Sequence, residues 1–230
     1  MPTFNAWREL GWYQDLTIGE AIAHAASARP DDALVFASSD GGVVRVPLGE
    51  LHARALGTAG ALQARGFTAD AHVIVQAPVD ARSTELLIAL WTIGAVVVPL
   101  TATAGADEVA HALRETGATR AVVVPEWRGR DLLGEMHGHG VADVISLTDD
   151  LAPAPVRPPE RRDASADACV LYTSGSTAAP KGVRHTHETL LVGLAALPTD
   201  TTTTTLAAFP AGHVASLIGL LRPLTAGGTT

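Results

Sequence analysis

The pentapeptide AVVVP occurs twice, at residues 95–99 and 121–125, and in neither copy does a polar residue alternate with the valines. A strand of that kind has no face to give to water, so it belongs in a sheet covered on both sides, the usual setting of parallel strands joined by helices. Other short β-branched or apolar runs recur along the chain, giving candidate strands at Ala33–Ala37, Val73–Gln76, Ala95–Val98, Arg120–Val124, Val144–Leu147 and Ala168–Tyr172. Between them the apolar residues change period. Leu48, Leu51, Ala55, Ala59 and Leu62 recur at steps of three and four, with Pro47 placed to open a helix and Gly66 to close it. Leu86, Ala89, Leu90 and Ile93 form a second such face ending at Gly94, and Val109 with Leu113 a third ending at Gly117. The expected fold class is α/β with a largely parallel sheet flanked by helices.

The alternation lapses at DDLAPAPVRPPERRDASAD, residues 149–167, where four prolines and mixed charges forbid a regular element. We read it as a solvated surface connection. The expected organisation is a first α/β subdomain over 1–150, a Pro-rich linker over 151–167, and the start of a second α/β block over 168–230. PTDTTTTTL, residues 198–206, reads as a second polar connection.

The formal net charge of −8 argues against a nucleic-acid partner, whose phosphate backbone requires a basic stripe. The longest apolar run, LLIALWTIGAVVVPL (Leu86 to Leu100), is shorter than a membrane span and is interrupted by Gly94, so no membrane span is expected. The N-terminal segment MPTFNAWREL has neither the basic nor the apolar stretch of a signal peptide, and the one cysteine, Cys169, fits a reducing compartment and reads as a core strand residue. These features point to a cytoplasmic protein. The histidines of HGHG (137–140) and the pair His185 and His187, read as lying on one side of a strand, lack a third ligand nearby, so no metal site is expected.

The segment that carries chemistry is TSGSTAAPKGV, from Thr173 to Val183, directly after the apolar strand ACVLY. Gly175 lets backbone amides approach an anion, while Thr173, Ser174, Ser176 and Thr177 offer short donors to phosphate oxygens. Lys181 adds a mobile point charge. It is the sole lysine among sixteen Lys and Arg residues, which suggests a role that a planar guanidinium does not fill. Pro180 stiffens the return, and Gly182 is expected to supply a backbone conformation that a side chain would resist. A Walker loop is excluded, because Lys181 stands between Pro180 and Gly182 and no hydroxyl residue follows it. GVRHT reads as a returning strand, so the loop is the tip of a wide hairpin.

YTSGSTAAPKGV followed by HTH resembles the phosphate-loop signature of the adenylate-forming superfamily: acyl-CoA synthetases, aryl-acid ligases, peptide-synthetase adenylation domains and luciferases. One position departs from the pattern, with Ala178 where the family usually has glycine. LLIALWTIGAVVVPL is similar to the family's upstream helix-strand block, VRVPLGELHARA to the opening before its first helix, and FPAGHVASLIGLLRPLTAGGTT to the segment whose histidine lines the acid pocket. VVVPEWRGRDLLGEM and the loop region are most similar to acyl-CoA synthetases of the cyclohexanecarboxylate and medium-chain type. The resemblance runs from about Leu16 to Thr230 and covers only the front part of the family's large domain.

What the resemblance implies is a two-step ligase reaction: a carboxylic acid attacks the α-phosphate of ATP to give an acyl-adenylate and pyrophosphate, and a thiol, commonly CoA, then displaces AMP. By the same resemblance Thr173, Ser174, Gly175, Ser176, Thr177 and Lys181 hold the ATP phosphates, with Mg2+ bridging them, and His213 sits at the acid pocket. The family's adenine motif, ribose-binding aspartate and catalytic lysine belong downstream of Thr230. The expectation is therefore an N-terminal portion inactive by itself; the alternatives are a non-catalytic nucleotide- or acyl-binding module, and one half of a split ligase completed by a partner chain.

Overall fold

A computed structural model describes residues 9, 13, 15–38, 41–157, 159, 163–173, 180–197 and 208–225. In chain order the elements are α1 (Ile18–Ala28), β1 (Ala33–Ala37), β2 (Val43–Pro47), α2 (Leu48–Ala64), β3 (His72–Gln76), α3 (Ala81–Thr92), β4 (Val96–Leu100), α4 (Ala106–Thr116) and β5 (Arg120–Val123). There follow β6 (Glu126–Trp127), β7 (Arg130–Asp131), α5 (Leu132–Gly138), β8 (Asp143–Ser146), β9 (Asp167–Thr173), β10 (Lys181–Thr186), α6 (His187–Ala195) and α7 (Val214–Thr225). Six strands form one sheet in the order β10-β9-β4-β3-β5-β8. All pair in parallel except β10, which turns back on β9. Through the contact of β9 with β4, strands from both sides of the proline-rich segment share this sheet.

The period of two along each strand explains why the valine runs lack polar residues. Val73, Val75, Val97, Val122, Ile145, Cys169 and Leu171 face one core with α1, α2, α3, α6 and α7. Ile74, Val96, Val98, Ala121, Val123, Val144 and Val170 face the other with α4 and α5. Leu48, Leu51, Ala55, Ala59 and Leu62 of α2 are all fully buried, as the helical spacing predicts. Gly94 and Gly117, just past α3 and α4, take φ of 80° and 66°, a region that favours glycine.

Two elements differ from the sequence reading. VVRVP forms β2, paired antiparallel with β1, and Val43 and Val44 are exposed on it. The strand follows SSDGG, residues 38–42, a hairpin-turn composition, but it lacks strict apolar–polar alternation and runs straight into α2. His187 is not on a strand beside His185: Thr186 caps α6 by accepting from the Thr189 N–H, and His187 becomes the first residue of that helix, only 2% exposed.

The proline-rich connection is tied down more closely than a solvated linker. The Ala154 N–H donates to Gly57 O at 3.1 Å, and Gln63 and Arg157 exchange two hydrogen bonds of 2.6 and 2.8 Å. A Cβ on Gly60 would lie 1.9 Å from Ala154 O, so this approach exists only because α2 carries glycine there. Gly60→Ala is expected to destabilise the protein by about 1–3 kcal/mol. Gly193→Ala, in α6 with nothing within 4 Å of the added carbon, is expected to stabilise it by about 0.5–1 kcal/mol. Urea unfolding of the two variants checks the opposite signs.

Candidate functional site

β9 and β10 form the expected hairpin, and its base pair is Thr173 opposite Lys181. Residues directly opposite in an antiparallel pair project to the same face, so the hydroxyl and the ammonium stand together, both exposed. The Thr173 hydroxyl reaches Lys181 O at 3.5 Å. Ser174, Gly175, Ser176 and Thr177, with Ala178, lie outside the described residues. The hairpin opens at the carboxyl end of β9, beside the carboxyl end of β4, the edge where open α/β sheets bind their ligands.

The neighbouring turn after β4 is fixed from below. The buried Gln76, last residue of β3, donates through Nε2 to Ala104 O at 3.2 Å, and the Arg130 Nη1 donates to the same carbonyl at 3.1 Å. Between this turn and the hairpin is a cavity of about 110 Å³, lined among others by Leu100, Glu108, His111, Tyr172, Pro180 and Gly212. Tyr172 precedes Thr173 on β9; burial first, and then the Glu115 carboxylate, push its phenol above the ordinary tyrosine range. It is therefore neutral at physiological pH and cannot repel an anion.

Gly182 corrects one expectation. It lies within β10 and is not among the glycines of positive φ. A Cβ there would come 2.9 Å from Val170 Cγ1 and 3.0 Å from Glu115 Oε1, so any side chain would have to displace these two neighbours.

His213 stands exposed just ahead of α7. Its carbonyl accepts from the Ser216 N–H at 2.9 Å, its Nδ1 accepts from the Ala215 N–H at 3.1 Å, and its ring stacks on Phe209 at 5.7 Å and 15°. It thus fixes the start of the helix and still presents one imidazole edge. The loop before it presses on β4, for a Cβ on Gly212 would lie 3.2 Å from Pro99 O. Pro180 and Gly212, the neighbours of Lys181 and His213, line the same cavity, so both loops meet at the end of β4.

Sequence reasoning missed Gln76, His111, Glu115 and Tyr172. The last three gather under the hairpin from α4 and β9. The spacing of His111 and Glu115 places them on one helix face, but only the packing of α4 against the sheet shows that this face meets β10. Cys169 is buried as expected, and burial, with the Asp167 carboxylate, pushes its thiol up to about 12, which leaves it unreactive.

A family model described as AMP-binding enzyme matches residues 22–230. Phenyloxazoline synthase MbtB of Mycolicibacterium paratuberculosis is 33% identical over 166 residues, which is 71% of this chain and 13% of that protein. Feruloyl-CoA synthase of an Amycolatopsis species is 33% identical over 148 residues, 61% of this chain and 28% of that one. Among solved structures, the apo structure of MbtA from Mycobacterium smegmatis superposes with a TM-score of 0.83 at 27% identity, over 98% of this chain and 45% of that chain. The chain therefore spans less than a third of these curated relatives and under half of that solved structure. On the family match over residues 22–230, carried by the same α/β sheet and hairpin, the chain belongs to the AMP-binding enzyme family.

Proposed function

We propose that the hairpin between β9 and β10 binds the phosphates of ATP for the activation of a carboxylic acid to an acyl-adenylate, with thioester formation on CoA or another thiol to follow. The observation that carries this reading is the pairing of Thr173 with Lys181 at the base of the hydroxyl-rich loop, at the carboxyl edge of the sheet. A relative named as a feruloyl-CoA synthase supports a CoA acceptor.

In this reading a carboxylate oxygen attacks the α-phosphorus, the bond to the bridging oxygen breaks, and pyrophosphate leaves. Negative charge builds on the departing phosphates. Lys181, Thr173 and the loop residues Ser174, Gly175, Ser176 and Thr177 supply donors of the kind that stabilise such charge, and the paired strands hold Thr173 and Lys181 at the loop base beforehand. Magnesium would arrive with the nucleotide and would offset part of the phosphate charge. Among the described residues no group of three His, Cys, Asp or Glu side chains converges to hold a metal ion of its own. His213 orients the acid through its exposed imidazole edge. The thiol then attacks the acyl carbon and AMP departs.

Residues 1–230 span 54–57% of solved relatives such as the O-succinylbenzoate CoA synthetase of Bacillus subtilis and a putative long-chain-fatty-acid CoA ligase of Rhodopseudomonas palustris. We infer that these 230 residues alone bind MgATP but do not complete adenylation. The expected result is a saturable MgATP titration together with no acid-dependent ATP–pyrophosphate exchange. Exchange by these residues alone would overturn the second half of this reading, and no MgATP binding would overturn the first.

A further inference from the structure

We propose that His111 on α4 is a positioning residue for the phosphate-binding hairpin, fixing its return arm by a hydrogen bond from the ring Nε2 to the Pro180 carbonyl. The proposal rests on the phosphate-binding reading above and adds what holds that loop in place. His111 Nε2 is 2.7 Å from Pro180 O. A carbonyl oxygen only accepts, so the ring nitrogen carries the proton. The same N–H faces Glu115 Oε2 at 3.2 Å, one helical turn along. Two acceptors on one nitrogen favour the Nε2–H tautomer, leaving Nδ1 without its proton in the neutral ring.

The position of this contact makes it consequential. The ladder between β9 and β10 ends at the pair Thr173 and Lys181, so Pro180 lies one residue past the last strand partner. Proline brings no N–H of its own, and its carbonyl is held by α4, an element outside the hairpin. The ring also meets Tyr172 edge-to-face at 5.7 Å, and Glu115 packs over Gly182, where a Cβ would stand 3.0 Å from its carboxylate. Both strands of the hairpin are thereby braced from α4 immediately beneath the loop. Lys181 follows Pro180 directly, so a shift of that carbonyl moves the backbone that carries the ammonium. Phosphate donors lower a barrier only when held at the position where charge develops, and this brace supplies that restraint from outside the loop.

The test compares His111→Phe, which keeps a ring against Tyr172 but donates nothing, with His111→Gln, whose amide N–H reaches about as far as Nε2. MgATP binding is expected to weaken about tenfold in H111F and to return to within about threefold of the wild type in H111Q, with thermal midpoints of the two variants alike. In the wild type, long-range 1H–15N spectra are expected to show the neutral His111 ring protonated at Nε2. Equal MgATP affinity in H111F and wild type, or an Nδ1–H ring, would overturn the proposal. A parallel Lys181→Ala titration separates the two readings. If K181A weakens binding and H111F does not, the brace fails and the phosphate site stands. If neither changes binding, the phosphate assignment fails and the brace loses its function with it.

Discussion

Lys181→Ala is expected to weaken MgATP binding about ten- to a hundredfold while leaving the fold intact. A hydrogen bond to a charged group contributes about 1.5–3 kcal/mol, and each 1.4 kcal/mol is tenfold in affinity. Lys181 is exposed at the loop base, so removing its ammonium leaves no buried partner unsatisfied and costs little stability. Lys181→Arg is expected to recover only part of the loss, because a planar guanidinium fork does not replace a compact ammonium charge at the base of the hairpin. Calorimetric titration with MgATP, beside thermal unfolding of each variant, reads both effects. In an assembly competent for adenylation, the order of preference among carboxylic acids is expected to stay the same, since the lysine addresses phosphate and not the acyl chain. A change in acid preference with unaltered MgATP affinity would falsify the assignment of Lys181 to the phosphates.

The sheet was legible because its strands are buried on both faces, and burial writes itself into sequence as unbroken apolar runs. Both AVVVP copies and the Leu48 to Leu62 stripe lie where the periodicity puts them. β2 was missed although SSDGG before it is a turn signal: with exposed valines and no strict alternation, the strand merges into the start of α2. The hairpin was visible through its residue types, whereas the residues that brace it were not. His111 and Glu115 read as ordinary polar positions of an amphipathic helix, and their role exists only through the sheet order that brings α4 under β10. Gly182 shows the same limit. Its identity was noticed, but the reason was assigned to backbone conformation, while the structure assigns it to the space occupied by Val170 and Glu115. Requirements set by distant neighbours leave a residue identity in the sequence without its cause.

His187 is expected to make the protein lose stability, on the order of 3 kcal/mol, as the pH falls from 7 to 4. The ring is 2% exposed, and burial lowers its pKa from 6.5 to about 4 against the opposing carboxylates of Glu20, Asp163, Asp167 and Asp70. Its Nδ1 accepts from the Ile18 N–H at 3.2 Å, satisfying one of the orphan amides that open α1. A folded-state pKa below the unfolded value means that the unfolded chain takes up the proton first. The stabilisation is therefore complete above pH 6.5, declines as the pH falls toward 4, and levels off below that. Each pKa unit corresponds to about 1.4 kcal/mol, which sets the size of the effect. Protonation would also place a second N–H against that of Ile18 and release the start of α1, which packs against α3 and α7. His187→Asn keeps an acceptor near the Nδ1 position but has no proton to gain. Urea unfolding of wild type and H187N from pH 7 to 4 isolates the histidine from the carboxylates that titrate in both proteins. The difference between them is expected to shift in favour of the variant by about 3 kcal/mol over that range. A constant difference would show that His187 takes up its proton equally well in the folded and unfolded chain, and that its burial between α1 and α6 has no electrostatic cost.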